Sequence, residues 1–406
     1  MSEPTEAEKW PELFGDAEDN TSSRGIAPTL PQNWTDVLAA ISELPNLLDG
    51  APEAETAEGV RYLLRFLAAG LRICIEADDA AAPMLTRSIE NRMSWGLDNP
   101  DTTYLYTRLD PGGTYRLHGS KGTARHLEIQ VNTGHQGDGD IQGWKANLWW
   151  RGDDLGDQID LEIPPTDNAS FLFIRQYFSD WAGEVPATLD VQRLDRPLPP
   201  VPLDGDSLNA RLELLAMWLR TGGSGWDQIS RAFLEGMAAD ATESQIQPFV
   251  TADELSGLKG QAYGMGAWRC EPDEAVIITA TPPPSRYWSL SLCDRFWQSI
   301  DYAQRQSSLN DSQATPDDAG DGTVTMVICH EDPGVANWLD PGGRSAGTLA
   351  VRYLLPDTDP SAVLLRRVPL GDLDPELPAG VARTDSSSRQ QVLRNRQQQI
   401  AERLRW

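Results

Sequence analysis

The feature that most constrains this chain is a change of hydrophobic period at Asn99-Pro100-Asp101. Before it, "AEGVRYLLRFLAAGLRICIEAD" sets Val60, Leu63, Leu64, Leu67, Leu71 and Cys74 or Ile75 at three- and four-residue steps, the spacing of one helical face. Arg61, Arg65 and Arg72 fall opposite. After it, the period is two. Tyr104, Tyr106 and Arg108 share one side of a strand, and Thr103, Leu105, Thr107 and Leu109 share the other. Proline disfavours helix at the residue before it, and Asn and Asp make local turn hydrogen bonds. The tripeptide therefore ends a helical block and launches the first strand.

Alternation continues through "TYRLHG" and "RHLEIQV", where Leu127, Ile129 and Val131 point inward and His126, Glu128 and Gln130 outward. "WKANLWWRG", "GDQIDLEI" and "FLFIRQYF" follow the same rule. Short alternating segments between Gly/Asp turns predict antiparallel sheet with one solvated face. The Pro-rich "RPLPPVPLDGDSL", Arg196 to Leu208, is the clearest boundary. A short pair of helices reaches to about Asp240, and then "EAVIITA", "YWSLSLCD", "TVTMVICH" and "TLAVRYLLP" return to strand patterning. The tail from Ser386 reads as a terminal helix with Val392, Ile400 and Leu404 as sparse apolar points. The predicted fold class is α+β, with two antiparallel β-sandwich or jelly-roll-like domains, a helical N-terminal block, a helical connector and a C-terminal helix. The expected divisions are an irregular acidic arm (1–32), the helical block (33–94), a first β domain (95–195), linker and helices (196–258), a second β domain (259–383) and the final helix (384–406).

Charge narrows the partners. Sixty-one acidic residues against 34 basic ones give a net charge of -27, a surface that repels phosphate backbones and anionic headgroups. Neither nucleic acid nor a membrane is expected. The four cysteines, Cys74, Cys270, Cys293 and Cys329, are widely spaced without a CxxC, which fits reduced thiols rather than disulfides or a zinc site. "MSEPTEAEKWPELFGDAED" has no basic region or apolar run, and no stretch approaches a membrane span, so a soluble cytoplasmic protein is expected.

Three short stretches resemble standard motifs but lack the context each requires. "GRSAG", Gly343 to Gly347, matches the nucleophile-elbow spacing, but a strand-like run follows where that chemistry needs a helix. "GMGAW" lacks the third glycine of a dinucleotide loop. "GHQGDGDIQG", His135 to Gly143, gathers aspartates without an EF-hand's spacing or terminal Glu. No metal and no cofactor is predicted. What remains is a polar strand face: Asp101 or His118 as a base, Tyr104 as hydrogen-bond donor, and Tyr106, with Arg108 or Arg295 for an anion or carbonyl contact. His118 and His126 lie in neighbouring strand candidates. Tryptophans concentrate at Trp144, Trp149 and Trp150, and at Trp268, Trp288, Trp297 and Trp338. Aromatic clefts of this kind hold ring compounds, sterols and sugar faces, so a hydrophobic or aromatic small molecule is the expected partner.

The ordered set "NPDTTYLYTRLDPGGTYRLHG", "RYWSLSLCDRFWQSID", "DGTVTMVICHEDPGVANWLDP" and "LAVRYLLPD" resembles the bacterial family of domain of unknown function 1214. The motif positions are Asn99, Asp101, Tyr104, Tyr287, Trp288, Asn337, Trp338, Arg352 and Tyr353. The resemblance implies a β-rich, jelly-roll-like fold with two β domains, and no particular reaction. Three functions stay open. The first is a cofactor-independent enzyme doing acid–base addition or elimination on a hydrophobic oxygenated molecule, with Asp101, Tyr104 and His118 catalytic and Tyr106, Arg108, Trp288, Arg295, Asn337 and Trp338 binding. Its site is expected on the Tyr104/Tyr106 face or between the β domains. The second is a non-catalytic sugar- or lipid-binding module. The third is a homo-oligomeric scaffold built through the arm and the last helix.

Overall fold

The computed structural model describes residues 31–135, 146–166, 171–196, 198–237, 241–247, 249–251, 260–318 and 320–404. Most of the acidic arm, the His135–Gly143 loop beyond His135, and Trp144 lie outside these residues.

Helices α1 (Asn33–Glu43) and α2 (Thr56–Gly70) open the chain, and α2 continues into a π-helical turn at Leu71–Glu76. The buried face of α2 is rotated from the one expected. Gly59, Tyr62, Leu63, Phe66, Ala69 and Gly70 are inside, whereas Val60, Leu64 and Leu71 are exposed. The glycines explain the rotation. A β-carbon on Gly59 would lie 2.6 Å from a Leu48 methyl, and one on Gly70 would lie 2.5 Å from the Trp218 ring. Close approach along this side lets aromatic rings fill the contact: Phe66 stacks on Trp218 at 4.6 Å, and Tyr62 on Phe296 at 5.2 Å. Arg61 meanwhile reaches across to Asp301 at 2.8 Å.

The first set of strands is β1 (Thr86–Ile89), β2 (Thr102–Arg108), β3 (Tyr115–Ser120), β4 (His126–Asn132), β5 (Ala146–Arg151), β6 (Gln158–Ile163), β7 (Phe171–Tyr177) and β8 (Thr188–Arg193). They form a sheet ordered β1-β2-β7-β4-β5 and a smaller one ordered β6-β3-β8. Leu109, Leu117, Leu127, Ile129, Val131, Leu172 and Ile174 fill the space between the two. Helices α3 (Gly205–Met217) and α4 (Gly223–Gly236) pack on the helical block, with Trp95, Trp218, Trp226 and Trp297 in one cluster.

The second set is β9 (Glu243–Ile246), β10 (Val250–Thr251), β11 (Gln261–Arg269), β12 (Glu274–Ala280), β13 (Tyr287–Cys293), β14 (Ser308–Asn310), β15 (Val324–Ile328), β16 (Trp338–Leu339), β17 (Ala346–Leu354) and β18 (Val363–Pro369). Its sheets run β10-β11-β17-β13-β14 and β16-β15-β12-β18-β9, antiparallel except for β15 beside β16. Trp268, Leu290, Leu292, Met326, Leu349 and Tyr353 belong to the core they share. Strand β17 begins at Ala346, inside "GRSAG", so no elbow forms there. The result is an α+β protein of several antiparallel sheets.

The two sheet pairs meet through the remaining faces of β1-β2-β7-β4-β5 and β10-β11-β17-β13-β14. Tyr177 and Tyr287 touch edge to face at 5.2 Å, and the Arg352 guanidinium donates to the carbonyl of Leu97. The expectation of a solvated face fails here for a simple reason: a second sheet covers it. All seven residues of β4 are buried, the polar ones included.

Short α5 (Leu373–Glu376) precedes α6 (Ser386–Arg403), which is capped by the Asp385 carboxylate accepting from the Ser388 N–H at 2.8 Å. Of the apolar points expected on α6, Ile400 is buried and Val392 exposed. Its buried seam is instead Arg389, Arg396 and Arg403, seven residues apart and therefore on one face. Each guanidinium lies over an indole: Arg389 on Trp338 at 5.2 Å, and Arg396 and Arg403 on Trp181 at 4.6 and 5.1 Å. The helix docks on its own chain. No helix among the described residues is long and apolar enough to cross a membrane.

Candidate functional site

Asn99-Pro100-Asp101 does not end the helical block, which stops at Glu76 with β1 between; it launches β2 and orders its own turn. The Asn99 side-chain oxygen accepts from the Asp101 N–H at 3.1 Å, and the Asn99 N–H donates to the Tyr104 hydroxyl at 3.0 Å. The Asp101 carboxylate accepts from the Tyr287 hydroxyl (2.6 Å), the Trp181 indole N–H (2.7 Å) and the Asn310 amide (2.9 Å). Tyr287 and Asn310 come from the second sheet pair, so this buried carboxylate ties the two pairs together. Nearby, Leu97 and Trp297 both adopt left-handed backbone, with φ of 57° and 61°, and the Leu97 N–H donates to the Trp297 carbonyl at 2.7 Å. Asp98 repeats the pattern, accepting from the Ser94 hydroxyl at 2.6 Å and the Ser299 N–H at 2.8 Å. Arg352 is wholly buried among tyrosines; burial opposes its charge, but Tyr104, Tyr263, Tyr177 and Tyr287 outweigh it.

Antiparallel register lays out the face toward the second pair in rows. Tyr104 pairs with Arg175, Arg175 with Glu128, and Glu128 with Arg151. One step along run Tyr106, Phe173, Gln130 and Trp149, and one step back run Thr102, Tyr177 and His126. Across from them, on β11, β17 and β13, stand Gln261, Tyr263, Leu354, Arg352, Tyr287 and Ser289. His126 Nε2 is 3.7 Å from one oxygen of Glu128, and Arg175 Nη1 is 3.9 Å from the other. Neither Glu128 oxygen receives a hydrogen bond, and both polar side-chain atoms of buried Gln261 are also unbonded. Tyr263, Trp149 and Arg151 are only half-buried, so the layer reaches solvent along this edge. The polar strand face and the gap between the sheet pairs, two locations in sequence terms, are one place.

The residues singled out from sequence are not all in it. Tyr104 is on this face, its hydroxyl pushed up to about 12 by burial. Tyr106 shares the face, its hydroxyl 3.0 Å from His135 Nε2, and Arg108 stands 3.4 Å from Asp78, which also faces His135 at 3.3 Å. Asp101 is at the layer's border, occupied by its three donors. His118 is elsewhere: on β3 it alternates with inward Leu117, so it faces away on the far sheet, opposite Asp160 and Asp190. Trp288 packs against the second pair's core. Arg295 donates to the Asp49 carbonyl at 3.2 Å beside the helical block. Asn337 clamps a loop through Thr315 and Thr325, and Trp338 donates to the Cys329 carbonyl at 2.8 Å under Arg389. Glu128, Arg175 and Gln261 went unremarked as site residues because an outward polar side chain on a strand ordinarily meets water. No cluster of His, Cys, Asp and Glu suited to a metal ion occurs among the described residues.

Burial raises the carboxyls of Asp98, Asp101 and Asp294. A carboxyl that holds its proton more tightly when folded adds stability as pH falls through its folded pKa toward its unfolded one. Asp195, held at about 2 chiefly by its hydrogen bond from Arg193, and Asp301, lowered by Arg61 against the effect of burial, begin to surrender stability only below the usual carboxylate range of about 4. Stability should therefore rise as pH falls toward the usual carboxylate range of about 4 and drop once pH passes below it, read from urea midpoints. A steady decline from neutrality would contradict this.

Residues 275–358 match the family described as protein of unknown function (DUF1214), the stretch that carries Tyr287-Trp288, Asn337-Trp338 and Arg352-Tyr353. The resemblance that those motifs carry is thus borne out for β12 to β17. A crystal structure of an uncharacterized protein from Burkholderia cenocepacia is similar over 84% of this chain and 97% of that one, with 24% identity and a TM-score of 0.76, and it shares the fold. The VPA0106 protein of Vibrio parahaemolyticus aligns over 82% of this chain and all of its own, with 11% identity and a TM-score of 0.41. No curated protein matches the sequence.

Proposed function

We propose that this chain is a cofactor-independent enzyme of hydratase, dehydratase or isomerase type, working by acid–base addition or elimination on a hydrophobic, oxygenated small molecule. We read each sheet pair as a jelly-roll-like β-sandwich domain, and the protein as cytoplasmic. The substrate would sit in the polar layer between the pairs. One observation carries this reading: Glu128, fully buried, has two carboxylate oxygens with no hydrogen bond, beside His126 and Arg175. A buried polar atom left without any partner costs about 1–3 kcal/mol, so a carboxylate to which no protein group donates suits a bound partner better than a packing role. Glu128 would act as the base, a role Asp101 is too fully engaged to take, with His126 and Arg175 holding it. Tyr104 and Tyr177, whose hydroxyls burial keeps protonated, would donate to a substrate oxygen.

A binding module is the second reading, and the three donors that occupy Asp101 favour it by removing one base from service. Native mass spectrometry of protein taken directly from cells, followed by incubation of any released molecule in D₂O, separates the two. The enzyme reading expects a molecule at unit stoichiometry that gains deuterium at carbon with wild type and not with Glu128→Gln. Binding without exchange would favour the module, and exchange that persists in Glu128→Gln would remove Glu128 from the chemistry.

A further inference from the structure

Among the atoms of this layer with no protein hydrogen bond, which also include His126 Nε2, Thr102 Oγ1 and Ser289 Oγ, five on Glu128, Arg151 and Gln261 have a chemical pattern. The two oxygens of Glu128 need donors. Arg151 Nε, on the strand paired with Glu128, needs an acceptor, and the Gln261 amide needs one of each. These groups are brought together. A β-carbon on Gly260 would stand 3.6 Å from Arg151 Nη2, which sets the start of β11 over that edge of the first sheet. Tyr177, whose ring is 6.2 Å from His126, and Trp149, 4.7 Å beneath Arg151, give the row aromatic borders.

Resting on the reading that this layer is the ligand site, we propose that its ligand is a neutral ring bearing two adjacent hydroxyl groups, both donating to Glu128. A hydroxyl both donates and accepts, which matches a carboxylate beside an amide and a guanidinium. A cationic ligand would stand against Arg151 and Arg175; an anionic one, though drawn by those guanidiniums, would set a second negative charge against Glu128 and bring no donor to its two oxygens. Hydroxyls on neighbouring carbons match the spread of one carboxylate's two oxygens, so a single ligand satisfies both. Their lone pairs then take the N–H groups of Gln261 and Arg151, and the Gln261 amide oxygen is the one atom of the five that the two hydroxyls leave without a donor. Aromatic borders favour a ring over an open chain.

Calorimetric titration of the full chain with catechol and with benzoate, rings of equal size that differ in charge and hydroxylation, tests the assignment. Catechol should bind at least about tenfold more tightly than benzoate. Glu128→Gln, nearly isosteric, should weaken catechol by about tenfold or more and leave the urea midpoint in place. Gln261→Leu should also weaken catechol without lowering the urea midpoint, because an amide with no hydrogen bond contributes nothing to the fold. Tighter binding of benzoate, strengthened further by Glu128→Gln, would overturn the diol class while leaving the site. Binding of neither probe, or equal catechol affinity in wild type and Glu128→Gln, would overturn the diol and the site together.

Discussion

Asp101→Ala should destabilise the fold by about 3–5 kcal/mol, the range for breaking a buried charged network by deleting one partner. The substitution strands three buried donors: the Tyr287 hydroxyl, the Trp181 indole and the Asn310 amide. Each costs about 1–3 kcal/mol when left dry. It also removes the negative charge that favours the buried guanidiniums of Arg396 and Arg403. Asp101→Asn should cost about half as much, since its oxygen still accepts from Trp181 and Asn310 while its amide donates to the Tyr287 hydroxyl. Urea unfolding followed by tryptophan fluorescence reads both variants. A loss below about 1 kcal/mol for Asp101→Ala would mean that the tie between the sheet pairs is redundant.

The part of the architecture carried by local periodicity was legible in the sequence. A strand launched at Asn99-Pro100-Asp101 is observed, β2 beginning at Thr102, and the inward alternation of Leu127, Ile129 and Val131 matches their place in the first core. The end of the helical block was misplaced, since the helix stops at Glu76 and β1 lies between it and the turn. What periodicity cannot carry is the identity of the partner surface. In α2 half of the expected apolar stripe, Val60, Leu64 and Leu71, lost to glycines and aromatics, because close approach fixes the contact before side-chain hydropathy does, while Leu63 and Cys74 of the same stripe stayed inside. In α6 the seam is arginine, a residue that reads as solvent-facing until an indole and a row of carbonyls are set opposite it. The same limit hid the candidate site. Tyr104 and Tyr106 were visible as a polar face, but His126, Glu128 and Gln130 read as its wet side. Only the second sheet, about 130 residues further along the chain at Gln261, converts that side into a buried layer. His118 shows the converse. Two histidines in neighbouring strand candidates look adjacent, yet β3 and β4 belong to different sheets, and His118 turns outward while His126 turns toward the second pair.

Arg396→Ala should cost about 2–4 kcal/mol and should not be additive with Asp101→Ala. Arg396 donates to the Tyr302 carbonyl at 3.1 Å, the Ser308 hydroxyl at 2.8 Å and the Gln313 amide oxygen at 3.2 Å, while its plane covers Trp181. Burial pulls its pKa down to about 10, so it stays charged at neutral pH, and Asp101 is the group that most favours that charge. Hydrogen bonds to a charged donor contribute about 1.5–3 kcal/mol, and stacking on a desolvated indole adds about 0.5–2. Both side chains hold Trp181, Asp101 through the indole N–H and Arg396 over the ring face. Once either is gone the indole is free to shift, and the second substitution finds less to lose. A double-mutant cycle should therefore return a coupling of about 1–3 kcal/mol between two residues 295 positions apart. Additivity within about 0.5 kcal/mol would show that the helix and the Asp101 tie act independently. Coupling of the expected size would mean that docking of α6 and closure of the polar layer are one cooperative event. A loosened helix would then be felt at Tyr287, and through it along the Tyr177 edge of the layer that holds Glu128.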